Sequence, residues 1–108
     1  MAVGGFVIHL ARATDRAVQV ARIIDAAPVP TRVLEAVDAA TADLSRYTPA
    51  SHAPRYPFPL SQTEIAVVLS HRAAWQAILD ERLDAGFLVE ADVAMDPATF
   101  PPAFDAAL

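Results

Sequence analysis

The sequence predicts an α/β fold, a small and mainly parallel three-stranded sheet whose strands are joined by helical crossovers. Three short apolar runs, at residues 6–10, 31–37 and 87–89, have the composition of strands, and segments with helical spacing separate them. Because a strand–helix–strand unit within one sheet is a parallel crossover, this alternation favours a parallel sheet. With 108 residues, the chain is expected to form a single domain over 1–108.

The first strand and the first helix have recognisable boundaries. The Gly4-Gly5 pair is interpreted as a flexible lead into the strand at 6–10. Thr14 is predicted to cap the next helix, because its hydroxyl can accept a hydrogen bond from an unpaired N–H of the first turn. Two prolines within 28–30 should end that helix before the second strand begins.

The second strand, at 31–37, places Asp38 at its carboxyl end, the edge of an open α/β sheet where ligands bind. The following segment, 39–60, is rich in proline and is predicted to be a loop with one helical turn near 42–46. Four of its side chains have the chemistry to stack on or bond a ligand, and no motif singles one out: Tyr47, His52, Arg55 and Tyr56.

The best-defined element is a long helix predicted over 62–84. Ser61 and Glu64 form a capping box at its start, in which each side chain accepts from the backbone N–H of the other residue. Gly86 is predicted to end the helix in the left-handed conformation. The run 87–89 then lacks alternation, as a strand covered on both faces should.

This helix is predicted to bury a wide apolar arc. One stripe contains Ile65, Val68, Leu69, Leu79 and Leu83, and its neighbour contains Val67, Ala74 and Ile78. Between the stripes, Trp75 is expected in the core and His71 is expected to be at least partly buried. A small sheet covers only part of this arc, so a homodimer centred on the second stripe or the last strand, or a second polypeptide, is expected to cover the rest.

Two acidic residues follow the last strand, Glu90 and Asp92, with Ala91 between them. Side chains two apart on an extended chain point the same way, so both carboxylates are expected to face one pocket. Two carboxylates suit a hard cation, Mg²⁺ or Mn²⁺, whose remaining ligands are water and substrate phosphates. The alternative is that these acids simply meet water at the end of a strand.

Composition excludes several classes of function. A formal net charge of −5 argues against nonspecific nucleic-acid binding, which needs a basic surface. There is no cysteine for a thiolate metal site or a disulfide, and no Gly-x-Gly-x-x-Gly motif follows the first strand as in NAD-binding folds. No apolar run is long enough to span a bilayer, and the start is unlike a signal peptide, so the cytoplasm is the expected compartment.

Residues 60–93 resemble glycosyltransferase family 25, the group that contains lipooligosaccharide and collagen galactosyltransferases. The matching residues are Leu60, Glu64, Ile65, Leu69, Ser70, His71, Trp75, Glu90, Asp92 and Val93. The family usually has Glu-Asp-Asp where this chain has Glu90, Ala91 and Asp92. The resemblance implies a GT-A fold that uses a nucleotide sugar, commonly with Mn²⁺.

The start of the chain also resembles this family. Arg12 and Arg16 match its opening segment, whereas His9 and Ala11 depart from it. The resemblance places this segment beside the nucleotide, where the two arginines could pair with phosphate. Their alternative role is a solvated helix start, with Arg16 bonded to a local carboxylate. His9 is expected to be a hydrogen-bonded core histidine.

Further along, residues 35–38 resemble the family's Glu-Ala-Val-Asp-Gly, with Ala39 in place of glycine, which implies that Asp38 approaches the nucleoside. The pair Ser70 and His71 belongs near the donor site by the same resemblance. The alternative for His71 is a structural histidine that ties the helix to a loop or a strand end.

The resemblance covers nearly the whole chain but only about the first half of a family domain. It implies a nucleotide-sugar half-domain that binds a UDP-sugar with Mn²⁺ or Mg²⁺ for transfer to a lipopolysaccharide-type or other glycan acceptor. The implied nucleotide-sugar residues are Arg12, Arg16, Asp38, Ser70, His71 and Glu90, and the implied metal ligands are Asp92 and Glu90. No catalytic residue can be named, because the acceptor half is expected to supply it. The alternative is a degenerate, noncatalytic half-domain that acts in protein association.

Overall fold

The computed structural model describes residues 1–47 and 60–108 and has the predicted α/β fold. Its three strands are β1 (Val3–His9), β2 (Thr31–Glu35) and β3 (Ala85–Glu90), in the order β2-β1-β3 and parallel throughout. The predictions for His52, Arg55, Tyr56 and the prolines between 48 and 59 lie outside the described residues.

Three α-helices connect or follow these strands: α1 (Ala17–Ala26), α2 (Gln62–Asp80) and α3 (Phe100–Ala107). The bounds of two 3₁₀ helices are Thr14–Arg16 and Ser45–Tyr47. No helix in the described part of the chain is long and apolar enough to cross a membrane.

The central strand β1 separates two layers. On one face Val7 packs with Val20 and Ile23 of α1, and all three are buried. On the other face, a side chain at Gly86 of β3 would meet Ile78 of α2. Because successive strand residues point to opposite faces, α1 and α2 cover opposite sides of the sheet.

The paired glycines at the start of β1 have a packing role, and the predicted strand start at residue 6 was wrong. Gly4 and Gly5 lie inside the strand and are buried. A Cβ atom at Gly4 would lie 2.9 Å from Leu83 Cδ1, and one at Gly5 would collide with the Thr31 side chain. These glycines are required by close approach of neighbouring side chains, so they are not a flexible lead-in.

The start of α2 is confirmed, and the prediction for its end was wrong. The Glu64 N–H donates to Ser61 Oγ at 3.1 Å, and the Ser61 N–H donates to Glu64 Oε1 at 3.0 Å. The helix ends at Asp80, and the left-handed residue is Arg82, with φ of 55°. Gly86 instead lies within β3, where only hydrogen fits beneath Ile78.

Two other local predictions fail. Thr14 belongs to a 3₁₀ helix and makes no capping hydrogen bond at the start of α1. The second strand ends at Glu35 because the Val37 N–H leaves the sheet and donates to Ser70 Oγ on α2.

The wide apolar arc predicted for α2 is buried only in part, and its first turns pack through Ile65 and Ala66 against Leu44 of the segment that follows β2. Ala74 is 0% exposed, whereas Trp75 is 53% and Leu79 is 70% exposed. Val67 and Val68 are exposed as well. Trp75 is therefore not a core residue, and Ala74 is not available for a dimer interface. The physical reason is that the sheet and the segment around Leu44 together cover only part of α2.

Candidate functional site

A cavity of about 290 Å³ opens at the carboxyl edge of the sheet. It lies between the ends of the three strands, the segment joining β1 to α1, and the first half of α2. Every predicted site residue contributes to its lining: Arg12, Arg16, Asp38, Ser70, His71, Glu90 and Asp92. The convergence follows from topology, since parallel strands place their carboxyl ends at one edge.

The side of the cavity at the end of β2, which we call the β2 wall, is built around Asp38. Arg12 Nε donates to Asp38 Oδ2 at 2.7 Å, and Arg12 Nη2 donates to Asp38 Oδ1 at 3.3 Å. The Ala40 N–H also donates to Oδ1, at 2.9 Å. These hydrogen bonds, that from Arg12 foremost, hold the pKa of the Asp38 carboxyl below its usual value. Asp38 is therefore a fixed, ionised acceptor.

Ser70 holds this wall from behind. Its hydroxyl accepts from the Val37 N–H at 2.9 Å and donates to the Ala66 carbonyl oxygen at 2.8 Å. The side chain is only 3% exposed. Because the hydroxyl proton is already used within α2, Ser70 anchors the exit of β2 to the helix.

The opposite side, which we call the β3 wall, carries His71, Glu90 and Asp92. His71 Nε2 lies 3.3 Å from Glu90 Oε1, which ties α2 to the end of β3 as the structural alternative for His71 predicted. Asp92 is exposed and forms no hydrogen bond or ion pair with any described residue. This wall is therefore held by one long contact and leaves a carboxylate open to the cavity.

The two acids of the β3 wall share the cavity for a different reason from the predicted one. The strand ends at Glu90, and the Val93 N–H donates to the Glu90 carbonyl oxygen at 3.2 Å, which forms a turn. Asp92 therefore reaches the cavity from a turn, so the alternation of an extended chain does not apply. Ala91 is buried in the apolar cluster with Val7 of β1 and residues of α1.

The side chains of the β3 wall that could donate to a divalent cation are those of His71, Glu90 and Asp92. Among the described residues, no three acidic or histidine side chains are grouped so that they could hold a metal ion by themselves. Glu90 and Asp92 both line the cavity, and a hard cation can take one or two protein carboxylates and complete its shell with water and phosphate oxygens. Ala91 contributes no ligand atom from its side chain.

The basic side of the cavity contains two arginines in different situations. Arg12 is paired with Asp38, whereas the Arg16 side chain is exposed and has no partner among the described residues. His9, beside them, has its Nε2 atom 3.0 Å from the Ala13 carbonyl oxygen, and it is partly buried in the cavity lining, not in the core as predicted. Arg16 is thus the unpaired cation of the described cavity lining.

Thr63 and Val67, in the first turns of α2, are among the lining residues that sequence reasoning did not assign to the site, and Val67 was expected at a dimer interface instead. No motif marks them. Their spacing from His71 at four-residue intervals places all three on one helix face, and that periodicity was the available signal.

The family model for glycosyltransferase family 25, described as an LPS biosynthesis protein family, matches residues 3–100. The chain belongs to glycosyltransferase family 25. The match covers every residue of the cavity lining, so the observed site lies within the family region.

Two curated relatives of this family 25 chain are procollagen galactosyltransferase 2 of Homo sapiens and of Mus musculus. Each is 28% identical over 95 residues, which cover 82% of this chain and 15% of the relative. The chain therefore spans about 15% of the length of the curated relatives it matches. No solved structure matches the chain.

Proposed function

We propose that the cavity binds the nucleotide-sugar donor, a UDP-sugar, of a family 25 glycosyltransferase, and that residues 1–108 form its donor-binding half-domain. The single observation that carries the proposal is the meeting in one cavity of an unpaired arginine, a fixed aspartate and two acids, of which Asp92 has no partner among the described residues. The glycan acceptor is of lipopolysaccharide type or another class. Family membership and the galactosyltransferase relatives support sugar transfer.

The β3 wall is proposed to serve the diphosphate through Mn²⁺ or Mg²⁺. Asp92, with Glu90, would hold the cation, and that cation would neutralise the phosphate charge that two acids alone would repel. Arginine on the other side of the cavity would add donors matched to phosphate oxygens. The cation and the diphosphate would then complete each other's site.

The β2 wall is proposed to serve the nucleoside. It lies at the end of the second strand of a β-α-β unit, where α/β folds place nucleoside-binding acids. Asp38 supplies an oriented carboxylate, and the aliphatic parts of Ile8, Ala39 and Val67 supply apolar lining.

The proposal is tested by calorimetry with UDP on the 108-residue chain, in Mn²⁺ and in EDTA. The native chain is expected to bind UDP in Mn²⁺ and to lose affinity by roughly 10- to 100-fold in EDTA, because a site built of acids repels an uncompensated diphosphate. Asp92→Ala should show the weaker affinity in both buffers. The matched control is Asp25→Ala, which removes an exposed acid of α1 outside the cavity and should behave as the native chain.

A second measurement detects the bound cation directly. The Mn²⁺ electron paramagnetic resonance signal should diminish when the native chain and UDP are added together, and should recover with Asp92→Ala. Equal UDP affinity in all four calorimetric conditions would remove the metal from the proposal. No UDP binding in any of them would overturn the proposed function.

A further inference from the structure

Arg12 and Asp38 form an ion pair in the protein alone, before any ligand binds. Two guanidinium N–H groups of Arg12 lie on the two carboxylate oxygens of Asp38, at 2.7 and 3.3 Å. The Asp38 side chain is 17% exposed, whereas that of Arg12 is 65% exposed. Arg12 thus covers and orients an acid that has little other access to water.

The remaining acceptor capacity of Asp38 is small and well defined. A carboxylate has about four lone-pair positions. Oδ1 already accepts from Arg12 and from the Ala40 N–H, and Oδ2 accepts from Arg12. One position, on Oδ2, is left for a donor in the cavity. A single hydroxyl group can donate to this position, whereas the negative charge of the carboxylate repels an anion.

The place of Asp38 in the fold indicates which ligand group this free acceptor would receive. Asp38 follows β2 in a β1-α1-β2 unit, and an acid at this point of dinucleotide-binding α/β folds accepts from the ribose 2′-hydroxyl. We propose that Arg12 is a positioning residue that fixes Asp38 to accept from the ribose 2′-hydroxyl, so that the cavity selects ribonucleotides over 2′-deoxyribonucleotides. This inference rests on the proposed function.

Arg12 and Arg16, which were both predicted to bind phosphate, have different roles in this site. Arg12 acts on the nucleoside through Asp38, whereas Arg16, which has no partner among the described residues, interacts with the diphosphate. Both arginines line the same cavity. Their variants should therefore change different parts of ligand recognition.

Two affinity ratios, measured by calorimetry in one Mn²⁺ buffer, distinguish these roles. The ratio of UDP to 2′-deoxy-UDP affinity reports the hydroxyl contact, and the ratio of UDP to uridine affinity reports the diphosphate contact. The native chain should prefer UDP to 2′-deoxy-UDP by about tenfold, the value of one hydrogen bond to a charged acceptor. Arg12→Ala should reduce the first ratio to near one and leave the second unchanged.

Three further variants complete the test. Asp38→Asn should also reduce the first ratio to near one, and Arg12→Lys should restore part of it by keeping a cation beside Asp38. Arg16→Ala should reduce the second ratio and leave the first unchanged. A merely structural role for Arg12 would lower all affinities together and change neither ratio.

The possible results distinguish a failure of ribose selection from a failure of the proposed UDP-sugar site. A native chain that binds UDP and 2′-deoxy-UDP equally overturns the inference and leaves the donor site in place. An Arg12→Ala chain that loses its UDP-to-uridine preference assigns Arg12 to phosphate and also overturns it. A native chain that binds no UDP overturns the proposed function and this inference with it.

Discussion

The two walls of the cavity are built in opposite ways. On the β2 wall, Asp38 accepts three hydrogen bonds, and Ser70 anchors the neighbouring Val37 N–H. On the β3 wall, one contact of 3.3 Å joins His71 to Glu90, and Asp92 has no partner among the described residues. The carboxylate of the β2 wall is largely occupied by protein donors, whereas the β3 wall has a carboxylate with no protein partner among the described residues.

This difference suits the two walls to two kinds of ligand group. A neutral donor such as a hydroxyl is recognised best by an acceptor that is already fixed, because little ordering is then needed on binding. A cation needs carboxylates that have not been neutralised by protein partners. The contrast therefore agrees with a nucleoside at the β2 wall and a metal–diphosphate at the β3 wall.

The largest expected effect on stability comes from Gly86→Ala. This substitution would force α2 away from β3 behind the β3 wall. The added methyl would collide with Ile78, so we expect a loss of about 1–3 kcal/mol in the free energy of unfolding, measured with urea. In an Ile78→Ala background the same change should cost much less, because space has been made. An equal cost in both backgrounds would contradict this packing.

The next effect is expected from Ser70→Ala, which disconnects the β2 wall from α2. The Val37 N–H would lose its partner, and leaving such a group unsatisfied costs about 1–3 kcal/mol in the free energy of unfolding. Thr63→Ala is the control on the same helix, since its hydroxyl makes no hydrogen bond with the described residues. If the two variants lose the same stability in urea, Ser70 is not an anchor.

A smaller effect is expected from acidification, which acts on the Arg12–Asp38 pair. The folded state lowers the pKa of Asp38, so the stabilisation is complete above the unfolded carboxyl pKa of about 4 and is lost as pH falls through the lower folded pKa. Thermal unfolding of the native chain and Arg12→Ala should therefore differ at pH 7 and converge in strong acid. A constant difference across this range would show that the pair is not the cause.

The smallest effect on ligand binding at either wall is expected from substitutions on the outer face of α2. This face is defined by Val68, Trp75 and Leu79. These exposed apolar side chains lie outside the cavity lining, and we predict that a homodimer covers them. Light scattering over a concentration series should show that Leu79→Asp weakens the dimer while UDP affinity stays unchanged. A native chain that remains a monomer at tens of micromolar would contradict the prediction.

Local sequence signals worked where the determining interactions are local. The capping box of Ser61 and Glu64 joins residues three apart, and the structure contains both of its hydrogen bonds. The prediction for Gly86 failed because the need for glycine at this position does not come from neighbouring residues in the sequence. A glycine after a helix can end that helix in the left-handed conformation, or it can leave space for a side chain from another element. Only the position of Ile78 over β3 distinguishes the two.

Burial was harder to predict from apolar spacing. Ala74 and Trp75 are adjacent and both apolar, yet one is fully buried and the other is half exposed. The spacing of apolar residues indicates that α2 has a wide apolar arc, but it does not indicate which part of the arc packs against the sheet. That choice depends on how Ser70 and Ile78 dock against β2 and β3.

The sequence was enough to predict the α/β class, the order of strands and helices as far as β3, and the edge at which the site residues meet, but it did not predict α3. Hydrophobic periodicity and parallel topology suffice for these features, because both depend on the order of residues along the chain. Tertiary structure alone decided which side chains pair. Arg12 meets Asp38 across 26 residues and Ser70 meets Val37 across 33, and such contacts arise only when packed layers bring distant segments within hydrogen-bonding distance.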